Sequence, residues 1–384
     1  MNKISITTLG KLIEFHRGYD LPKSNFKKGN VPVISSNGIL GFHDEYKVKG
    51  PGITIGRSGT VGLPHYINEN FFPHNTALYI RDFKGNLPKY IYYLLKTLSL
   101  NDRGSGSGVP TMNRNHLHPL RVSAYLDFSY QQKIASVLSS LDSKIELNNR
   151  INAELEALAK TLYDYWFVQF DFPDANNKPY KSSGGKMVLN KELKREIPEN
   201  WSNGDLKDIA NITMGQSPPG ASYNDDGDGI TFFQGCTDFG NRFPSVRKFT
   251  NAPTRFAKEG DILLSVRAPV GTLNIAKENC CIGRGLAALY SKDNCISYLF
   301  GVMINLKQIF DRRNVDGTTF GSINKDDLYS LKVIRPDKAT LIKYNEIINT
   351  VFQKQNKIEL ENQKLTELRD WLLPMLMNGQ VTVN

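Results

Sequence analysis

The sequence states one pattern twice, and a chain written this way has to fold as two related halves. KIELNN at Lys144–Asn149 returns as KIELEN at Lys357–Asn362, 213 residues later. Around that anchor Ile134 and Leu138 fall on Ile347 and Val351, and Glu154 and Leu155 fall on Glu367 and Leu368. The likeness extends forward with a drifting offset. LGKLIEF (Leu9–Phe15) resembles LKDIANI (Leu206–Ile212), and GITIGRSGTVG (Gly52–Gly62) resembles GDILLSVRAPVG (Gly260–Gly271). TALY (Thr76–Tyr79) matches AALY (Ala287–Tyr290), and TMNRNHLHPLRV (Thr111–Val122) matches SINKDDLYSLKV (Ser322–Val333). Two copies of this length are not a solenoid, whose units run to a few tens of residues. The pattern predicts an α+β chain with two strand-rich globular domains in tandem pseudo-twofold repeat, each followed by a long helix. The expected boundaries are a first domain at 1–128, a helix at 129–170, a linker leading into the second repeat at 171–200, a second domain at 201–340 and a helix at 341–379.

The two helices carry a coiled-coil pattern. In the second, Ile347, Val351, Lys354, Ile358, Glu361, Leu365, Leu368, Leu372 and Met375 alternate steps of four and three, the spacing of a seam. The equivalent positions of the first are Ile134, Leu138, Leu141, Ile145, Asn148, Asn152, Leu155, Ala159 and Leu162. Both seams turn polar near the middle, so antiparallel pairing would bring the polar layers together, at some cost in stability but with a gain in register. Helices of about 38 residues span about 57 Å, or about 16 base pairs of B-DNA.

Charge points to a partner. The net charge is +10. Residues 1–128 carry 16 Lys+Arg against 8 Asp+Glu, giving +8, whereas residues 201–340 carry 17 against 15, giving +2. The excess sits on a globular unit and not on a basic tail, as expected of a folded surface that meets an acidic polymer. Hydrophobic content of 40% and charged content of 22% are those of an ordinary soluble protein. The opening MNKISITTLGKLIEF has no apolar signal region, and a cytoplasmic location is expected. Cys236, Cys280, Cys281 and Cys295 lie in the second copy without a C-x-x-C pair, so neither a zinc site nor a disulfide framework is expected.

Three polar, glycine-containing segments of the first copy suit a reader of nucleic acid. They supply Ser36 and Asn37, then Arg57 and Ser58, then Arg103, Ser105, Thr111, Asn113 and Arg114. Matching loops of the second copy offer Gln216, Ser217, Arg267, Arg312, Arg313, Thr319, Asn324 and Lys325. Glycine lets backbone approach a phosphate, hydroxyls and amides bind it, and Arg or Asn can make paired hydrogen bonds to guanine or adenine edges. Catalytic patterns are weak by comparison. All six histidines lie in the first copy. Pro173, Asp174, Glu192 and Lys194 follow the loose PD…ExK order of metal-dependent nucleases, but they flank NNKPYKSSGGK (Asn176–Lys186), which reads as a flexible connection. SPPG at Ser217–Gly220 lacks the aromatic residue that would stack on a flipped base, and GRSGTVG at Gly56–Gly62 lacks the Lys-Ser/Thr of a P-loop. No catalytic centre, metal or cofactor is expected.

The run QQKIASVLSSLDSKIELNNRINAELEALAKTLYDYWFVQFDFP, Gln131–Pro173, resembles the central conserved region of the specificity subunit of type I restriction–modification enzymes. TMNRNHLHPLRV and SINKDDLYSLKV resemble the close of that family's target-recognition domains, and REIPENW (Arg195–Trp201) the start of the second one. The resemblance covers essentially the whole chain. It implies a non-catalytic subunit whose two target-recognition domains each read one half of a bipartite, asymmetric double-stranded DNA target, with the paired helices setting the spacer. It further implies docking of two modification subunits, which carry the S-adenosylmethionine-dependent adenine methyltransferase, and through them of restriction subunits. Tyr163, Tyr165, Trp166 and Phe167 are then candidates for docking, or else a hydrophobic plug between helix and domain. The alternatives are a stand-alone nuclease or methyltransferase, and a coiled-coil scaffold that does not touch DNA.

Overall fold

The computed structural model describes residues 4–103, 111–315 and 322–383, without the side chains of 102–103 and 308–315. It divides into two compact units, Met1–Leu147 with Asn362–Asn384, and Asn148–Glu361. Each unit therefore takes in one globular part and a portion of both long helices, Phe128–Tyr163 and Lys338–Asn378.

The first unit is built on a four-stranded antiparallel sheet in the order Glu14–Arg17, Ala77–Asp82, Gly52–Gly56, Pro64–Ile67. GITIG at Gly52–Gly56 carries no charge and lies inside the sheet with every residue buried, Thr54 included. The helix Pro88–Lys96 starts on a proline, whose missing N–H costs nothing at a first turn. Its Tyr90, Ile91, Leu94 and Leu95 recur at helical spacing and join Ile53 and Ile55 in the core. Val31–Ser35 runs parallel to Phe72–Pro73, and Ile4–Thr8 closes the domain by pairing with Arg121–Tyr125.

The second unit repeats the order of the central sheet, while its neighbouring sheet has five strands where that of the first unit has three. Its four-stranded sheet runs Ala210–Met214, Leu286–Ser291, Ile262–Ser265, Leu273–Ile275. Ile230–Phe233 lies parallel to Cys280–Ile282, and Ser202–Asp205 pairs with Lys332–Arg335. The duplication read from short sequence matches is thus a duplication of topology.

Both long helices begin on an aspartate cap. Asp127 Oδ1 accepts from Tyr130 N at 2.7 Å, and Asp337 Oδ1 from Thr340 N at 2.9 Å. Within the second unit Asn148 Nδ2 donates to Glu361 Oε2 at 2.8 Å and Gln355 Nε2 to the Asn152 carbonyl at 3.4 Å. Within the first unit Asp142 Oδ1 accepts from Arg369 Nη1 at 3.0 Å, while its other oxygen accepts from Tyr93 Oη at 2.6 Å. Numbers rise on one helix as they fall on the other, so the helices pair antiparallel within each unit.

On the first helix Ile134 and Leu138 are buried, and Leu141, Ile145, Leu155 and Leu162 half-buried. The seam of the second helix needs a correction. Val351 and Ile358 are buried and Leu365 and Leu372 half-buried, but Ile347 is 46% and Leu368 43% exposed. The inward positions between them are Ile348, Gln355, Asn362 and Arg369, one residue further on. Wherever two apolar residues are adjacent, as at Ile347 and Ile348, spacing alone admits either phase. The inward residue is the one packed among Tyr344, Val351 and Phe352.

Two further expectations change. The segment Asn176–Lys186 is ordered rather than a loose connection: Tyr180 stacks on Phe172 at 4.7 Å, Phe172 stacks on Trp201 at 4.8 Å, and Met187–Asn190 pairs with Arg195–Pro198. Its one aromatic residue, Tyr180, anchors a stretch whose glycines and serines otherwise read as linker. Tyr163, Trp166 and Phe167 are buried in the core of the second unit against Tyr298, Tyr344 and Trp201, so they are a plug and not a docking surface. Among the described residues no helix is long and apolar enough to cross a membrane.

Candidate nucleic-acid interface

In the first unit, loops far apart in sequence meet at one end of the central sheet. The turn carrying Ser36 and Asn37 follows Val31–Ser35, and Gly38 takes the positive φ (+92°) that lets the next strand return. Ser36 N donates to Thr76 Oγ1 at 3.4 Å, and the Ser36 carbonyl lies 3.3 Å from His65 Nε2. Arg57 and Ser58 leave the end of Gly52–Gly56. Their backbone N–H groups donate to the Thr76 carbonyl at 2.8 and 3.2 Å, and Arg57 Nη1 donates to the Asn75 carbonyl at 3.3 Å. The next loop is tied in by Met112 N, which donates to Arg57 O at 2.8 Å, and by the bridge between Ser58 and Thr111.

Ser36, Asn37, Arg57, Ser58 and Thr111 are therefore brought together. Asn113 is spent on capping the short helix Arg114–Leu117, where its side chain accepts from Asn115 N at 3.0 Å. Arg114 is exposed and faces the neighbourhood of His118. Burial, and then the positive charges of Lys84 and Arg114, hold the His118 imidazole below its ordinary pKa. His65, His74, Asn75 and Thr76 belong to the cluster and were not expected. No local pattern marks them, because they reach it only through sheet pairing.

The second unit builds the same frame. Val266 N donates to Gly285 O at 2.9 Å as Arg57 N does to Thr76 O, and Gly283 N donates to Phe233 O at 2.8 Å as His74 N does to Ile34 O. Arg267 bridges to Ser322 as Ser58 bridges to Thr111. Gly18 and Gly215 occupy the same tight place: an added Cβ would lie 2.1 Å from His74 O in one unit and 2.2 Å from Gly283 O in the other. These correspondences place Thr76 on Gly285 and not, as the TALY/AALY match has it, on Ala287. Sliding a strand by two residues keeps the same side chains inward, so short apolar matches tolerate the slip.

On this frame the side chains differ. Arg267 stands where the first unit has Ser58, and Arg284, unnoticed in the sequence, stands where it has Asn75. Both arginines are exposed. Ser217 Oγ donates to Gln234 Oε1 at 3.1 Å and accepts from Arg284 N at 3.3 Å, and Gln216 O accepts from Thr254 Oγ1 at 2.5 Å. Asn324 caps its helix through Asp327 N at 2.9 Å, and Lys325 lies 5.1 Å from the Tyr329 ring. Ser105 and Thr319, and the side chains of Arg103, Arg312 and Arg313, lie outside the described residues.

The acidic residues of the nuclease-like pattern are engaged elsewhere. Asp174 Oδ1 accepts from Asn176 N and Lys178 N, both at 2.8 Å, and Glu192 pairs with Lys332 at 3.2 Å.

Residues 1–157 and 198–370 match the family model described as type I restriction modification DNA specificity domain. A Methanocaldococcus jannaschii chain named as the type I restriction enzyme MjaX specificity subunit is 30% identical over 391 residues, covering 100% of this chain and 85% of its own length. The type I restriction enzyme HindI specificity subunit of Haemophilus influenzae is 22% identical over 435 residues, covering 94% and 89%. Among solved structures, the S subunit of a type I restriction-modification system from M. genitalium shares the fold, with a TM-score of 0.63 at 19% identity over 98% of this chain and 96% of that one.

Proposed function

Because the chain belongs to the type I restriction-modification DNA specificity family and carries two DNA recognition domains, we propose that each domain reads one part of a bipartite, asymmetric duplex target. The antiparallel helices set the spacer between the parts. The chain performs no chemistry of its own. It docks two modification subunits that methylate adenine, and restriction subunits through them, in the cytoplasm.

The observation that carries this reading is the repeated loop frame with unlike side chains. Hydrogen bonds of matching pattern hold Ser58 and Asn75 in one domain and Arg267 and Arg284 in the other. Two scaffolds of one shape presenting different donors and acceptors suit two different base sequences. Exposed Arg267 and Arg284 can each make paired hydrogen bonds to guanine, the commonest specific major-groove contact.

The test is selection of bound duplexes from a random pool by the chain co-purified with its modification subunits, using the wild type, Arg57→Ala and Arg284→Ala. Each variant should relax one part of the selected sequence, by about 1–3 kcal/mol at the affected position, and leave the other part intact. Equal loss of both parts from either variant would refute separate reading.

A further inference from the structure

Within the second unit a pocket of about 420 Å³ opens where the turn at Arg242, the strand Leu273–Ile275, the helix Ile296–Val315 and both long helices meet. That size falls in the range of small-molecule sites. Phe300, Tyr344 and Phe352 give it aromatic walls. Three polar atoms of its lining residues are buried without a hydrogen-bond partner among the described residues: Arg242 Nη2, Asn274 Oδ1 and Asn152 Oδ1.

Two of the three, Asn274 and Arg242, are held in place by their other bonds. Asn274 is 2% exposed, and its amide nitrogen is committed to Gly240 O at 2.9 Å, which leaves the oxygen unpaired at the wall. Arg242 donates from Nε to Asn356 Oδ1 and from Nη1 to Gln355 Oε1 at 3.1 Å, and it stacks 4.7 Å from the centre of the Phe352 ring. Only Nη2 is left over. Asn152 faces the pocket from the first long helix, whose backbone carbonyl at that residue is already taken by Gln355. A buried donor or acceptor without a partner is costly, and water or a ligand entering the pocket completes it.

The charge balance decides the class of ligand. Glu156, which lines the pocket, and Glu359 both attract the Arg242 charge, while burial lowers its pKa to about 10. Two carboxylates already answer one guanidinium, and Asp164 answers Lys160, the other cation of the lining, so an anion would enter with no unanswered positive charge to meet it. A neutral ligand fits: its acceptor takes the Nη2 hydrogen, an adjacent N–H meets an amide oxygen of Asn274 or Asn152, and a flat apolar body lies along the aromatic wall.

We propose that this pocket is a binding site for a neutral, planar small molecule with an adjacent donor and acceptor on one edge, the chemistry of a free nucleobase. The assignment is independent of the DNA reading, because no residue of the loop frame lines the pocket.

The test is titration of the full chain with adenine, followed by calorimetry and ligand-detected NMR, with benzoate as a flat anionic control. Saturable one-to-one binding of adenine with Kd below about 1 mM is expected, with benzoate at least about tenfold weaker. Asn274→Leu should weaken adenine by about tenfold or more. Ala153→Trp, which fills the pocket from an exposed helical position, should abolish binding while the melting temperature and the selected DNA sequence stay unchanged. No saturable binding to the folded wild type, benzoate binding as tightly as adenine, or undiminished binding to Ala153→Trp would each overturn the proposal.

Discussion

Alanine at Ile348 and alanine at Ile347 change neighbouring, chemically identical side chains that the helix turns in different directions. Ile348 is 1% exposed and packs in the core of the second unit, whereas Ile347 is 46% exposed. Ile→Ala removes three carbons, worth about 2.4 kcal/mol at about 0.8 kcal/mol per buried methylene. The cavity left in a packed core adds about 1 kcal/mol, so Ile348→Ala should cost about 3–4 kcal/mol. At Ile347 the partial loss of burial is offset by the better helix propensity of alanine, and the change should stay within about 0.5 kcal/mol. Urea unfolding followed by tryptophan fluorescence reads the difference, because Trp166 and Trp201 lie in the same core as Ile348. A Trp371→Phe background removes the exposed tryptophan of the other unit. With m about 2–3 kcal/mol/M in urea, Ile348→Ala should lower the midpoint by about 1–2 M and Ile347→Ala by less than about 0.3 M. A larger shift from Ile347→Ala than from Ile348→Ala would restore the seam first read from the spacing and refute the one described here.

Asp337 caps the second long helix and also accepts from Trp201 Nε1 at 3.0 Å, so Asp337→Ala should cost about 1–2 kcal/mol in the same assay. Burial raises its carboxyl pKa, but the hydrogen bonds from Thr340 and Trp201 outweigh it and hold the group below its ordinary value. Its contribution is therefore full above about pH 4, the unfolded value, and is lost as pH falls through the folded pKa. Asp337→Asn should flatten that acid limb, and an equally steep limb in both proteins would contradict the assignment. In the first unit, a double-mutant cycle of Tyr93→Phe and Asp142→Ala should return a coupling of about 1–2 kcal/mol for the 2.6 Å hydrogen bond, and strict additivity would exclude it.

What the sequence disclosed follows from the range of each interaction. Helix existence and pairing rest on local periodicity, and the stretch from Ile134 is legible because Ile134, Leu138, Leu141 and Ile145 keep steps of four and three. On the second helix the spacing points to Val351 and Ile358, prefers Leu368 to Arg369 because leucine is apolar, and has nothing by which to choose between the identical Ile347 and Ile348. An arginine on the seam is intelligible only once Asp142 is seen opposite it. Composition picks out Ser36, Arg57 and Thr111 of the loop frame. It misses Asn75 and Arg284, since they reach the loop frame by pairing between strands far apart in sequence, which leaves no local trace. The aromatic cluster at Tyr163–Phe167 shows the opposite limit, as its composition suits a plug and a docking face equally well and only burial separates them.

The division of each long helix between two units has a consequence for the order in which the protein is made. The core containing Leu9, Ile53 and Tyr90 also contains Leu373, Leu376 and Met377, and Val383 N donates to Tyr130 Oη at 3.2 Å. A chain that leaves the ribosome N-terminus first has every residue of the second unit in hand at Glu361. The first unit, though begun earlier, must wait with an open apolar face for the last helical turns. The half synthesised first is the half completed last, and the stretch from Leu373 to Val383 acts as its closing wedge.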